Sequence, residues 1–325
     1  MTSRLLAVML SAAVLTGITS IRANAQQADS TPAAERTDGL RPKLGPHRFI
    51  PNPVTRDPFP RTYVDNSLGI GTGRDLPIIP KFEISPGDTI GGTTGDLIFA
   101  LLNFEYQQRI KNWMAFWTRV DVRARIGDGA GALLAEGVTL TTGFEIGWMF
   151  RLLEKDRIML SATAQVSNNT LTGVNILDFL QGVIDSTGAP LVTTTPVVRT
   201  GLGLRFAWAL NPWLGLTART EFGYGESIDR AQGNVTSGDL SLAASVDFNP
   251  LINAPVGVVL AIEKVFSPDR ALDDIDDARV GLLRVAYTGR DDFIIALDIG
   301  AATVPLRSGG SITATSTKVT MRYYF

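Results

Sequence analysis

The sequence predicts an all-β protein: a transmembrane, antiparallel up-and-down β-barrel of about twelve strands, with a short helix in one extracellular loop. Three observations carry this. Apolar residues make up 45% of the chain and charged ones 19%, yet beyond residue 25 no run approaches the ~18 apolar residues of a helical span. The apolar residues instead recur at every second position, over segments of about ten to fourteen residues. Finally, the connections between those segments alternate between short and long.

Residues 1–25 read as an export signal. Arg4 supplies the positive start, Leu5 to Leu15 an apolar run broken by Ser11, and Ala23-Asn24-Ala25 a small-x-small cleavage pattern. Removing this leader and its two arginines takes the formal charge from −2 to −4, so nothing in the composition attracts nucleic acid. Residues 26–61 are polar and rich in proline, with Pro42, Pro46, Pro51, Pro53, Pro58 and Pro60. Proline fixes φ and removes a donor, so an extended or irregular course is expected. Two arrangements suit it: a periplasmic tail, or a small plug in which Gly45–Pro60, with His47, Arg48 and Phe49, enters the lumen.

The barrel is expected over residues 62–325. Counting back from the C-terminus, strands fall near 313–325, 292–304, 277–289, 255–267, 238–249, 212–225, 197–210, 157–168, 139–153, 113–126 and 95–110. An even count with both ends in the periplasm asks for a twelfth, placed at 62–72, where Val64, Leu68 and Ile70 share a face; Lys81–Gly91 is its rival, and a hairpin hidden in 73–94 would make fourteen. Alternation is clearest over 239–248, where Leu240, Leu242, Ala244, Val246 and Phe248 oppose Asp239, Ser241, Ala243, Ser245 and Asp247. A soluble β-sandwich also alternates. Its strands are shorter, its wet face carries more Lys and Glu, and its connections do not alternate in length. The long connection after residue 169 contains Val174–Ile184, which reads as a short amphipathic helix. Trp113, Trp208 and Trp213 lie beside short turns, with Trp117 and Trp148 slightly further in, as an interfacial aromatic belt requires; parity nevertheless points Trp117 and Trp213 inward.

The chain closes Lys318-Val319-Thr320-Met321-Arg322-Tyr323-Tyr324-Phe325. This resembles the terminal strand of bacterial outer-membrane β-barrel proteins of the porin-like superfamily, which end on an aromatic residue with alternating apolar partners, here Val319, Met321, Tyr323 and Phe325. The resemblance implies a cell-outer-membrane location, and assembly in which the barrel-assembly machinery reads those four residues. It implies outer-membrane lipid and lipopolysaccharide as surroundings, and leaves monomer and homo-oligomer both open.

Parity places Glu105, Arg109, Arg119, Asp121, Arg123, Arg125, Glu145, Arg205, Arg219, Glu221, Glu263, Arg284, Asp298 and Lys318 on the inner, pore-lining face, with Arg151, Arg199 and Arg322. Three readings follow. A mixed-charge belt of arginines and carboxylates would line a channel for passive diffusion of small solutes. In it, Arg109, Arg119, Arg123 and Arg125 would face Asp239, Asp247, Glu263 and Asp298 across the lumen, giving a transverse field and a mild anion preference. The same lattice would alternatively fill a non-conducting structural or surface-interaction barrel. Third, the inward Leu97, Phe99 and Leu101 beneath the loop helix would suit uptake of hydrophobic compounds.

Other chemistry finds little support. The chain has no cysteine, which excludes disulfides, thiolate metal sites and a Cys nucleophile. His47, the single histidine, precedes the barrel and leaves serines and carboxylates without the usual base, so neither an enzyme nor a cofactor is expected. Gly69–Gly73 and Gly127–Gly131 sit in no βαβ unit and so are not phosphate loops. Asp269, Asp273, Asp274, Asp276 and Asp277 lack the spacing and glycine of a calcium loop.

Overall fold

The computed structural model describes residues 40–77, 82–85, 88–90, 94–127, 138–174, 192–226, 233–266, 278–305 and 311–325. The export signal, residues 26–39, residues 175–184 of the expected loop helix and the five loop aspartates lie outside the described residues, while Val174 is the last residue of a strand.

The period-two pattern folds as expected. Two short strands, β1 (Lys43–Leu44) and β2 (His47–Arg48), precede the first barrel strand, β3 (Tyr63–Pro77). A small hairpin, β4 (Phe82–Ser85) with β5 (Asp88–Ile90), stands in the connection to β6 (Thr94–Lys111). There follow β7 (Met114–Gly127), β8 (Val138–Lys155), β9 (Ile158–Val174), β10 (Val192–Ala209), β11 (Leu214–Glu226), β12 (Asn234–Asp247), β13 (Val256–Phe266), β14 (Ala278–Tyr287), β15 (Phe293–Pro305) and β16 (Ser311–Tyr324). β3 and β6–β16 close into one barrel of twelve antiparallel strands. Its seam joins β16 to β3, from Ala314 opposite Gly73 to Tyr324 opposite Tyr63. Closure leaves no unpaired edge, as a sheet in hydrocarbon requires. The twelfth strand is therefore the 62–72 segment, and part of the rival Lys81–Gly91 forms the β4–β5 hairpin outside the barrel.

Among the described residues no helix is long and apolar enough to cross a membrane. The one helical turn among the described residues, α1 (Asn249–Ile252), lies in a short connection between β12 and β13.

The outer face carries Leu202, Leu240, Leu242, Leu260, Ile262 and Ile299, all exposed and aimed away from the lumen. On a soluble protein such a belt would be an aggregation hazard; against acyl chains it is the favourable surface. At the short-turn end Trp113, Trp148, Trp208, Tyr287, Tyr323 and Phe325 are also exposed. Several of these rings contact one another, with Phe116 and Trp148 centroids 5.0 Å apart and Trp113 and Phe150 6.2 Å apart. Trp117 breaks this belt by pointing inward, where it is 1% exposed.

The packed core is inside the barrel. Leu40–Arg61 runs through the short-turn half of the lumen and buries Leu44, Phe49, Ile50, Val54 and Phe59. Ile50 and Val54 pack with Ala243, Val259, Ala261, Leu282, Ala286, Ile294 and Ala296 of the wall. Leu44, Phe49 and Phe59 pack with Met159, Ala207 and Ala209. The inner face is small on these strands, and the segment supplies the missing volume.

Candidate functional site

The site is the lumen: a wall whose inward residues are fixed by register, a segment that fills its short-turn half, and a cavity above it. Register sets one belt level on β16, β3, β6, β7 and β8, because Arg322 faces Asp65, Asp65 faces Glu105, Glu105 faces Arg119, and Arg119 faces Glu145. On the opposite wall Arg205 faces Arg219, and Arg284 faces Asp298. Adjacent inward side chains on neighbouring strands are within reach of each other, so parity alone brings these charges together.

The segment is fastened by polar contacts along its length. Arg41, 2% exposed, donates to Asp247 Oδ2 at 2.7 Å and to the backbone oxygen of Thr288 at 3.0 Å. His47 lies 3.2 Å by Nδ1 from the Pro212 carbonyl and 3.0 Å by Nε2 from Ser245 Oγ. A carbonyl only accepts, so the Nδ1 atom carries the proton and Nε2 accepts from the serine. Burial lowers the His47 pKa, with Arg41 opposing the charged ring and Asp247 and the Pro212 carbonyl favouring it. Asn52 closes a turn by accepting from the Val54 and Thr55 amides, and Thr55 Oγ1 meets Thr217 Oγ1 at 2.7 Å. Gln107 donates to the carbonyls of Phe59 and Arg61, and Ser161 to that of Pro58.

At mid-height the segment joins the belt. Arg56 binds both oxygens of Glu145, at 2.5 and 3.0 Å, and Trp117 Nε1 donates to the same carboxylate at 2.7 Å. The Trp117 ring occupies the space that a side chain at Gly147 would need. Arg205 stacks on the other component of this wall, its guanidinium 4.7 Å from the Trp117 ring centroid. Arg322 bridges Asp65 at 2.7 Å and Asp57 of the segment at 3.1 Å, lying 4.0 Å over the Tyr63 ring. Tyr63 donates to Glu105 at 2.5 Å. Arg284 makes a two-point pair with Asp298, at 2.6 and 2.8 Å, and also donates to the Pro51 carbonyl. The Arg56–Glu145, Arg322–Asp65 and Arg284–Asp298 contacts are desolvated ion pairs, the form in which buried charge is tolerated, whereas Arg205 keeps Nε and Nη2 without a hydrogen-bond partner among the described residues.

The expected rows of opposite charge facing one another across the lumen are not what the side chains form. Asp239 and Glu263 are both held by Arg219, at 3.0 and 2.5 Å. Asp298 is held by Arg284, and Asp247 by Arg41. On the other side Arg119 pairs with Asp121, which also accepts from Asn103. Pairing is local because a buried carboxylate gains more from a guanidinium on the next strand than from one across the bore. Arg109 also departs from the expectation: it is exposed near the short-turn rim, beside a register shift, below the segment.

Above the segment lies a cavity of about 820 Å³, floored by Asn52–Val54 and Arg56. Arg119, Arg123 and Arg125 of β7 and Lys318 of β16 line it, together with Val280 and Leu282 of β14 and Gly300 and Ala302 of β15. A smaller cavity of about 190 Å³ adjoins Asp121, Glu145, Gln165, Arg199 and Glu221, with Gln165 donating to Glu221. Val319, Met321, Tyr323 and Phe325 are exposed on the outer face of β16 and its end.

Sequence reasoning assigned the inward faces but not which of them the N-terminal segment meets. A signal was present: inward positions near the short turns of β10–β15 include Ala207, Ala209, Gly215, Ser245, Gly257, Ala286 and Ala296, small residues that leave bore to be filled.

No known protein family and no curated protein matches the chain in sequence. Solved structures do match in fold. An outer-membrane channel from Pseudomonas putida F1 is 8% identical, with 86% of this chain and 100% of that chain covered at a TM-score of 0.51. A Pseudomonas aeruginosa FadL homologue is 10% identical over 88% of this chain and 100% of that one, at 0.49. The KdgM porin, solved with disordered oligogalacturonate, is 7% identical over 81% and 99%, at 0.43. The likeness to the first of these is one of fold. With its apolar exterior, this closed barrel has the architecture of a membrane-spanning β-barrel.

Proposed function

We propose that the protein is an outer-membrane channel for passive diffusion of small solutes, closed at rest by its own N-terminal segment. One observation carries the reading: residues 40–61 fill the lumen without pairing as a strand with any barrel strand. The segment can therefore withdraw while the wall stays closed on itself. The mixed-charge belt of arginines and carboxylates then borders an aqueous path, and Arg119, Arg123, Arg125 and Lys318 give its outer part a mild anion preference. The outer-membrane lipid and lipopolysaccharide surround the barrel in this reading, and the barrel-assembly machinery reads Val319, Met321, Tyr323 and Phe325.

The buried ion pairs favour a second reading, a non-conducting barrel whose lumen is filled for stiffness. Planar-bilayer recording separates the two. Deleting residues 26–58 is expected to raise single-channel conductance over that of the full chain, and neutralising Arg119 and Arg123 in the deleted form to shift the reversal potential in a salt gradient. Equal conductance with and without the segment would discard the closed-channel reading.

A further inference from the structure

Apart from Arg125, the cations lining the outer cavity divide into two kinds. Arg56, Arg119, Arg284 and Arg322 each hold a carboxylate. Arg123 and Lys318 make no ion pair or side-chain hydrogen bond among the described residues. Register places these two at one level: Lys318 faces Gly69, Gly69 faces Leu101, and Leu101 faces Arg123. A side chain at Gly69 would collide with the Lys318 stem, so the glycine lets the lysine lie toward β6. The nearest acids are already occupied. Asp298, directly opposite Lys318, accepts from Nε and Nη2 of Arg284 and from Thr320 at 3.0 Å. Asp121, one inward position from Arg123, is taken by Arg119 and Asn103.

Two cations beside an open cavity, with their neighbouring acids engaged elsewhere, select an anion. The cavity's other surfaces select its body. Leu101 lies between the two cations, and Leu282, Gly300 and Ala302, on the two strands next to that of Lys318, add apolar surface to the same cavity. We propose that the outer cavity binds a compact organic monoanion, its carboxylate between Arg123 and Lys318 and its apolar body against Leu101, Leu282 and Ala302. This rests on the channel reading, whose solute class it names. The cavity, about 820 Å³, falls within the range of small-molecule sites and exceeds the size of one aromatic ring with a carboxylate.

Benzoate is the probe. Equilibrium dialysis of labelled benzoate against the refolded full chain in detergent is expected to show one saturable site. Benzyl alcohol, which lacks the charge, and acetate, which lacks the body, should each compete at least tenfold less well. The double substitution Arg123→Gln with Lys318→Gln should weaken binding at least tenfold. Ala302→Phe, which touches neither cation, should weaken it by shrinking the apolar wall, and heat-dependent gel mobility would verify that both variants keep the barrel. Benzoate binding within twofold of the parent in the double variant would overturn the proposal. So would competition by benzyl alcohol, or by inorganic phosphate, as strong as that by unlabelled benzoate. Dialysis reads occupancy and not flux, so a barrel that binds benzoate yet never conducts would refute the channel reading and leave this site standing.

Discussion

Asp247 holds two structures at once: Oδ2 accepts from Arg41 of the segment, and Oδ1 accepts from the Asn249 amide that opens α1. The Arg41 and Asp247 side chains are 1% and 3% exposed, so removing one charge strands the other without water. Breaking such a buried pair costs about 3–5 kcal/mol. Because Arg41 can regain solvent if the segment leaves, Asp247→Asn is expected to favour withdrawal by two or more orders of magnitude at ~1.4 kcal/mol per factor of ten. Limited proteolysis of residues 40–61 in the assembled barrel would register it; unchanged protection would show that Arg41 does not hold the segment.

His47 belongs to the same scale. Its folded pKa lies below the ordinary value of about 6.5, so the seated ring is neutral and the withdrawn ring binds protons more readily. The stability it lends is thus complete above about pH 6.5 and declines as pH falls from there through the lowered folded value. Protection of the segment should weaken on acidification from pH 7 to 5, and His47→Gln, which keeps a donor and an acceptor, should flatten that dependence. With one histidine in the chain, few other groups titrate in this window. An identical pH profile in the variant would assign the effect to carboxylates.

Among the elements, β11 shows how a strand can be legible while its partner is not. The alternation of Leu214, Leu216 and Ala218 with Gly215, Thr217 and Arg219 predicted both faces, and the structure keeps them. What the strand's inward glycine is for did not follow from parity. A Cβ on Gly215 would meet the His47 ring at 2.5 Å and Phe49 at 2.7 Å, both atoms of the segment. Gly215→Val should consequently expel the segment while sparing the strand, since a β-branched residue suits an extended backbone. The expected outcome is raised conductance with unaltered heat resistance of the barrel. Loss of both together would mean that the segment is needed for the wall itself. The ion pairs behave likewise. Side-chain parity put Arg219, Asp239 and Glu263 in the lumen, but the choice between a near and a far partner depends on strand neighbourhood and burial, which one-dimensional spacing does not encode.

For the whole molecule, the strand count was legible because two constraints met: alternating lipid-facing residues from 95 onward, and the even number that returns both ends to one side. The course of residues 40–61 was less legible because prolines and polar residues suit a solvated tail and a lumen equally. Only the complementarity between its Leu44, Phe49, Ile50, Val54 and Phe59 and the small inner wall distinguishes them, and that is a property of the closed barrel. The assembled picture is a wall closed on itself by backbone pairing and a segment held in it by side chains.

A chain without cysteine allows the segment to be locked by a single introduced bond. Thr55 and Thr217 place their hydroxyls 2.7 Å apart, so Thr55→Cys with Thr217→Cys joins segment to wall. Single-channel conductance of this double variant, recorded before and after reduction, is the direct measurement. Silence when oxidised and openings on reduction are the predicted result; equal conductance in the two states would contradict a lumen gated by its own N-terminal segment.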